Sequence, residues 1–170
     1  MYHPPVKGEG RERRDELGNF NKAYRTQPHR GSDWGFKTGS AGKPVYAVAD
    51  GVVTENFWTD ALGHCITVKN THDEVFVLFA HLEEKSPVKK GTKVIGGETV
   101  LGKIGNTGSA SAGAHLHAAA SKSPKPHLAS FPALLDLFKL IDADKPAKVE
   151  KPAAPKKTPA KKPASKKAEK

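Results

Sequence analysis

Apolar and polar residues alternate through much of the stretch from Pro44 to Ile104, and that two-residue period predicts a β-rich domain. Val45, Ala47 and Ala49 alternate with Tyr46 and Val48, a strand that ends at the tight turn Asp50-Gly51. Val52-Val53-Thr54 resumes beyond the turn, and Ile66-Thr67-Val68 predicts a further strand. Glu74 to Leu82 is the strongest strand signal. Simple alternation puts Val75, Val77, Phe79 and His81 on one face and Phe76, Leu78, Ala80 and Leu82 on the other. Glycine then recurs from Gly91 to Gly113, where tight turns and close backbone approach are needed. Short strands parted by glycine turns point to a compact all-β sandwich or barrel. One short C-terminal helix is expected from about Phe131 to Asp142, capped by Ser130, with Leu134, Leu137, Phe138 and Ile141 as its apolar stripe.

The two ends of the chain lack this pattern. Residues 1–20 are polar and charged and predict a flexible lead-in with at most a short helical turn. Residues 21–144 make the folded domain. Residues 145–170 are Lys, Pro and Ala with almost nothing to bury, so they cannot offset their ordering entropy and are expected to be a disordered basic tail.

Charge follows the same division. The chain of 170 residues carries +10, but the tail alone holds ten Lys and two Glu, a net +8. The other 144 residues hold 18 basic and 16 acidic side chains, a net +2, so the high pI does not mark the folded part as a nucleic-acid binder. Cys65 is the only cysteine, which excludes an internal disulfide and a thiolate zinc site. No run of about 18 apolar residues exists, so no membrane span is expected. The N-terminus, Met1-Tyr2-His3-Pro4-Pro5-Val6-Lys7-Gly8, has no apolar signal region, and synthesis in a cytoplasm without a signal peptide is expected.

Candidate chemistry lies in three places. His29 and Asp33 stand four apart in a loop-like run with Pro28, Gly31 and Ser32. His115 and His117 stand two apart, which on a strand sends both rings to one face. His81 closes the strongest strand. Imidazole and carboxylate are ligands that zinc prefers, and three protein ligands with one open position make a catalytic site. Two assignments follow. Either both downstream histidines join His29 and Asp33 in a closed structural site, or one binds metal and the other stands beside it as base or donor. Spacing does not choose between them. His3, His64, His72 and His127 sit in turn-like or terminal contexts and read as surface residues, and Trp34 and Trp58 as packing or groove-wall residues.

The ordered set His29-x-Gly31-x-Asp33, then Phe79-Ala80-His81-Leu82, then His115-Leu116-His117 resembles the lysostaphin-type, or LytM-type, zinc peptidases of bacterial cell walls. The runs Pro44–Val53, Val88–Val94 and Gly102–Ser109 look like that family's first core hairpin, its glycine turn and the loop before His-x-His, so the resemblance covers roughly residues 24 to 128. It implies a β-sandwich with an open groove, one zinc ion per chain held by His29, Asp33 and His117, and His81 and His115 as catalytic histidines. Tyr24, shortly before His29, is a further candidate as oxyanion donor.

The activity so implied is metalloendopeptidase hydrolysis of peptidoglycan cross-links by a monomer. It would act at the bacterial wall after phage lysis, in the manner of an endolysin, or as part of a virion. The chain departs from the family pattern at Phe79, where Tyr is common, and at Ala118-Ala119-Ala120-Ser121, where larger and acidic residues are usual, which predicts a weakened strand or groove wall. The tail is an addition that suits anionic wall polymers or nucleic acid. Two other classes remain. One is a non-catalytic wall-binding or regulatory module of this fold, against which the presence of all five polar residues speaks. The other is a DNA-associated protein acting through its tail, against which the near-neutral balance of residues 1–144 speaks.

Overall fold

A computed structural model describes residues 1–144 apart from Tyr24. The expectations for Tyr24 and for the tail at 145–170 lie outside the described residues. Ten strands and one helix follow in the order β1 Arg11–Asp15, β2 Ser32–Phe36, β3 Pro44–Tyr46, β4 Gly51–Thr59, β5 Gly63–Asn70, β6 Phe76–Leu82, β7 Lys93–Val94, β8 Val100–Lys103, β9 Leu116–Ser121, β10 Leu134–Leu135 and α1 Leu137–Ala143.

All the strand pairs are antiparallel. The main sheet has eight strands in the order β1-β2-β9-β6-β5-β4-β7, with β10 pairing β9 beyond the end of β2. A small second sheet, β3 with β8, covers part of its inner face. The all-β expectation therefore holds, with a thin second layer.

Alternation explains where the core sits. Val53, Ile66, Val68, Val77, Phe79, Leu116, Ala118, Ala120, Trp34 and Phe36 project from the main sheet into one cluster, met by Val45 and Leu101 of the small sheet and by Leu137, Phe138 and Ile141 of α1. Trp34 meets Phe138 edge-on at 4.9 Å between centroids, a geometry that aromatic quadrupoles favour. Burying side chains of this size stabilises by about 1.5–3 kcal/mol each. The opposite face carries a second, smaller cluster of Cys65, Leu78, Ala80 and Ala119. Phe57 and Leu62 pack against it.

The N-terminal segment differs from the expected lead-in. Residues Arg11–Asp15 pair with β2 at the sheet edge, and Val6 is fully buried. Tyr2 donates its hydroxyl to Asp73 Oδ2 at 2.7 Å and accepts from Asn70 Nδ2 at 2.9 Å. A polar composition hid this, because a strand at a sheet edge needs backbone pairing more than apolar side chains.

The C-terminal helix is also shorter than its stripe suggested. Asp136, not Ser130, caps it, accepting from Phe138 N at 2.9 Å and Lys139 N at 3.2 Å. Residues Phe131–Ala133 form a 3-10 turn, with Pro132 inside it, and Leu134 joins the sheet opposite Ser121. The run Ala118-Ala119-Ala120 lies within β9, all six residues of which are buried.

Cys65 is 1% exposed, and burial pushes its thiol up to about 12. It should therefore stay silent toward a chromogenic thiol reagent in native buffer and react once per chain in guanidinium. Rapid labelling of native protein would contradict the packing of the second cluster.

Candidate metal centre

Asp33 on β2 lies directly opposite His117 on β9, and directly opposed residues share a face of the sheet. His117 in turn lies opposite Ala80 on β6, so this face is the one that carries the smaller cluster. The loop before β2 folds back to bring His29 over the same spot. A Cβ at Gly31 would stand 2.6 Å from the Ala118 carbonyl oxygen and 2.7 Å from His117 Cε1, so only glycine lets this loop lie against β9.

Three atoms converge there. His29 Nε2 is 3.1 Å from Asp33 Oδ1 and 3.1 Å from His117 Nδ1, and His117 Nδ1 is 2.9 Å from Asp33 Oδ1. All three residues are buried, with ligand atoms within 4.8 Å of one another. A tetrahedral zinc with bonds of about 2.0–2.1 Å separates its ligand atoms by roughly 3.3 Å, so the spacing fits.

The donor chemistry fits as well. His29 Nδ1 donates to the Glu16 carbonyl oxygen at 3.0 Å, which leaves Nε2 of the neutral ring as a lone pair aimed at the carboxylate. With an imidazole protonated the contact is an ion pair. With both neutral, two lone pairs and an anion face one point, which a cation stabilises. Burial alone raises the Asp33 carboxyl, but hydrogen bonds from His117 and His29 outweigh it and hold the group well below the ordinary range. Burial lowers His117, only partly offset by Asp33, and so favours the neutral ring that binds metal.

Two further imidazoles border the cluster. His115 Nε2 lies 3.7 Å from Asp33 Oδ2, and its Nδ1 is 2.7 Å from the Gly113 carbonyl oxygen. His81 Nδ1 is 2.7 Å from the Thr107 carbonyl oxygen, and its ring centroid is 4.8 Å from that of His115 and 6.0 Å from that of His117. Burial pushes His81 down to about 4, with the Thr107 carbonyl opposing and the neighbouring imidazoles reinforcing the shift.

His81 reaches this place by breaking the alternation that the sequence suggests. The β5–β6 register shifts between His64 and Ile66, so Ala80 and His81 together face Cys65, and His81 has φ 59°. This bulge turns His81 away from the face of Phe79, and Leu82 takes the core position instead. A left-handed backbone at a histidine is sparsely populated and costly, and such residues gather at functional sites. The turn before β5 helps hold it: Thr107 Oγ1 donates to the Leu82 carbonyl at 2.6 Å and accepts from His64 N at 3.1 Å, and a Cβ at Gly63 would strike Thr107.

The remaining histidines lie elsewhere. His64 packs on Trp58 at 4.7 Å, His72 on Tyr2 at 5.3 Å, and His127 on Phe57 at 5.0 Å, while His3 sits against Gly97. Trp34 is a core residue and Trp58 is half exposed. The carbonyls of Glu16, Thr107 and Gly113 carry no sequence signal, since every residue has one.

Residues 27–127 match peptidase family M23. Over 89 residues the chain is 32% identical to the peptidoglycan DD-endopeptidase ShyC of Vibrio cholerae, a match taking in 52% of this chain and 19% of that protein. The chain thus spans about a fifth of the length of the curated relative it matches. The catalytic domain of the antimicrobial peptidase lysostaphin from Staphylococcus simulans has the same fold, with a TM-score of 0.64 at 24% identity over 77% of this chain and 92% of that one. A zinc containing peptidase from Vibrio cholerae gives 0.62 at 26% identity over 84% of this chain and 39% of that one.

The strained backbone at His81 makes a stability prediction. His81→Gly should be more stable than His81→Ala by about 1 kcal/mol, because only glycine enters the left-handed region without cost. Denaturant midpoints of the two metal-free variants would show it, and equal midpoints would mean that the bulge relaxes.

Proposed function

The chain belongs to peptidase family M23, and on that premise we propose that it is a zinc-dependent endopeptidase hydrolysing the peptide cross-links of bacterial peptidoglycan. Its named relative acts on peptidoglycan, and a structural neighbour at 26% identity is a zinc containing peptidase. The observation that carries the reading is the convergence of His29 Nε2, Asp33 Oδ1 and His117 Nδ1, with His81 and His115 beside them. His29, Asp33 and His117 would hold one zinc ion, and His81 and His115 would be the catalytic pair.

Zinc at such a site supplies Lewis acidity toward the scissile carbonyl and lowers the pKa of a water toward about 7. The protein supplies orientation and proton handling. Because Nδ1 of His81 and of His115 is committed to a backbone carbonyl, each neutral ring turns a basic Nε2 outward. Either Nε2 can take the proton of the attacking water and return it to the leaving amine. Two imidazoles 4.8 Å apart do not readily hold two charges, so only one of the pair carries the water's proton while the other stays neutral. The imidazolium so formed stands beside the developing oxyanion and stabilises it until the proton passes to the leaving amine.

This reading places the protein at the bacterial wall, reached through phage lysis or on a virion, and acting as a monomer. No helix among the described residues is long and apolar enough to cross a membrane.

Zinc content and peptide release from purified cell walls test the assignment together. His117→Ala should lose bound zinc and hydrolysis at once. His115→Ala should keep its zinc while turnover falls by about a hundredfold or more; digestion at the parental rate would remove His115 from the mechanism. Chelation of the parent protein should abolish hydrolysis and added zinc restore it, and hydrolysis that survives chelation would sink the metal reading.

A further inference from the structure

We propose that Asp15 and Arg25, in the segment ahead of the matched residues 27–127, are positioning residues that complete the metal centre from outside that matched stretch. The inference rests on the zinc reading above and concerns residues that this reading does not use.

The register of β1 against β2 sets Asp15 opposite Asp33. There the Asp15 carboxylate accepts from Arg25 Nη2 and from Asn19 Nδ2. Its Oδ2 lies 3.6 Å from His29 Nδ1, on the side of the ring away from the ligand nitrogen. Arg25 Nη2 is also 3.9 Å from Asp33 Oδ2, the oxygen that faces away from His29 and His117. Asp15 and Arg25 are only 10% and 22% exposed, so water screens these charges weakly.

The same segment grips His29 by its backbone. Gly18 N donates to the His29 carbonyl at 2.8 Å, His29 N donates to the Asn19 carbonyl at 2.9 Å, and the Glu16 carbonyl takes the ring Nδ1–H at 3.0 Å.

Three consequences for metal binding run in one direction. An anion behind Nδ1 makes the opposite nitrogen a better donor to a cation. Arg25, tethered by Asp15, favours the rotamer of Asp33 that leaves Oδ1 facing the two imidazoles. Asp15 also neutralises a guanidinium that would otherwise repel a divalent ion across the ligand carboxylate. Asp15→Asn removes all three effects with little change in shape. A second ion pair of this strand, Arg13 with Asp142 at 2.6 Å, ties β1 to α1 and so serves as a control for the strand's anchorage.

The test is zinc affinity of the full chain by competition with a chromophoric chelator, which needs no substrate. Asp15→Asn should weaken zinc by about 10–100-fold, the range seen when partners behind metal ligands are removed. Asp142→Asn should bind as the parent does. Parental affinity in Asp15→Asn would overturn the proposal, as would an equal loss in both variants. Should Asp15→Asn destabilise the metal-free protein, the zinc-induced rise in melting temperature decides: a smaller rise than in Asp142→Asn supports the role, and the same rise refutes it. A parent chain that binds no zinc would instead defeat the functional reading.

Discussion

Everything at the site depends on one backbone register, the pairing that sets Asp33 of β2 opposite His117 of β9. Side chains alternate along a strand, so a slip of one residue would send His117 into the core and Leu116 into the groove. The core enforces the register. Leu116, Ala118 and Ala120 are buried among Trp34, Phe36, Val77 and Phe79, and a slipped strand would place an imidazole among them. The same apolar contacts that stabilise the domain thus fix the distance between a carboxylate and an imidazole.

Around that register, three backbone carbonyls decide which nitrogen of each ring faces the site. Glu16 holds His29, Thr107 holds His81 and Gly113 holds His115, and in each case the Nδ1–H is taken and Nε2 is left for chemistry. His117 differs, since its Nδ1 is the atom that joins the cluster. The carbonyls come from two loops, Glu16 from the one between β1 and β2, and Thr107 and Gly113 from the one between β8 and β9. The arrangement of imidazoles is therefore distributed over the fold, and it is held by groups that leave little trace in residue type.

The site also carries local strain and close contacts that the core must sustain. His81 adopts φ 59° at a bulge, and Gly31 and Gly63 stand where no Cβ fits. Glycine solves the approach of the first motif to β9, but the bulge carries an imidazole in a place where glycine would be easier. That exchange of backbone comfort for an aimed side chain is what distinguishes His81 from a residue chosen for folding. The alanines of β9 belong to the same logic. Ala118 and Ala120 fill the core under the site, and Ala119 packs in the smaller cluster on the opposite face.

The sequence by itself determined the fold class, the strands from β4 to β6 and which residue types could bind a metal. These are properties of local period and of chemical identity, and both survive reading in one dimension. It also displayed the ordered His-x-x-x-Asp, His and His-x-His set on which the family resemblance stands. Only the tertiary structure decided which face His81 joins, because a bulge and a left-handed φ leave no periodic mark. The edge strand β1 was illegible for a related reason: its polar residues are stabilised by pairing with Ser32–Phe36 rather than by burial of their own side chains. The helix cap likewise went to Asp136, since the preceding residues found a better place as a 3-10 turn and a strand beside β9. Distances between residues far apart in the chain, such as His29 and His117, are set by packing and register, and only a folded chain has those.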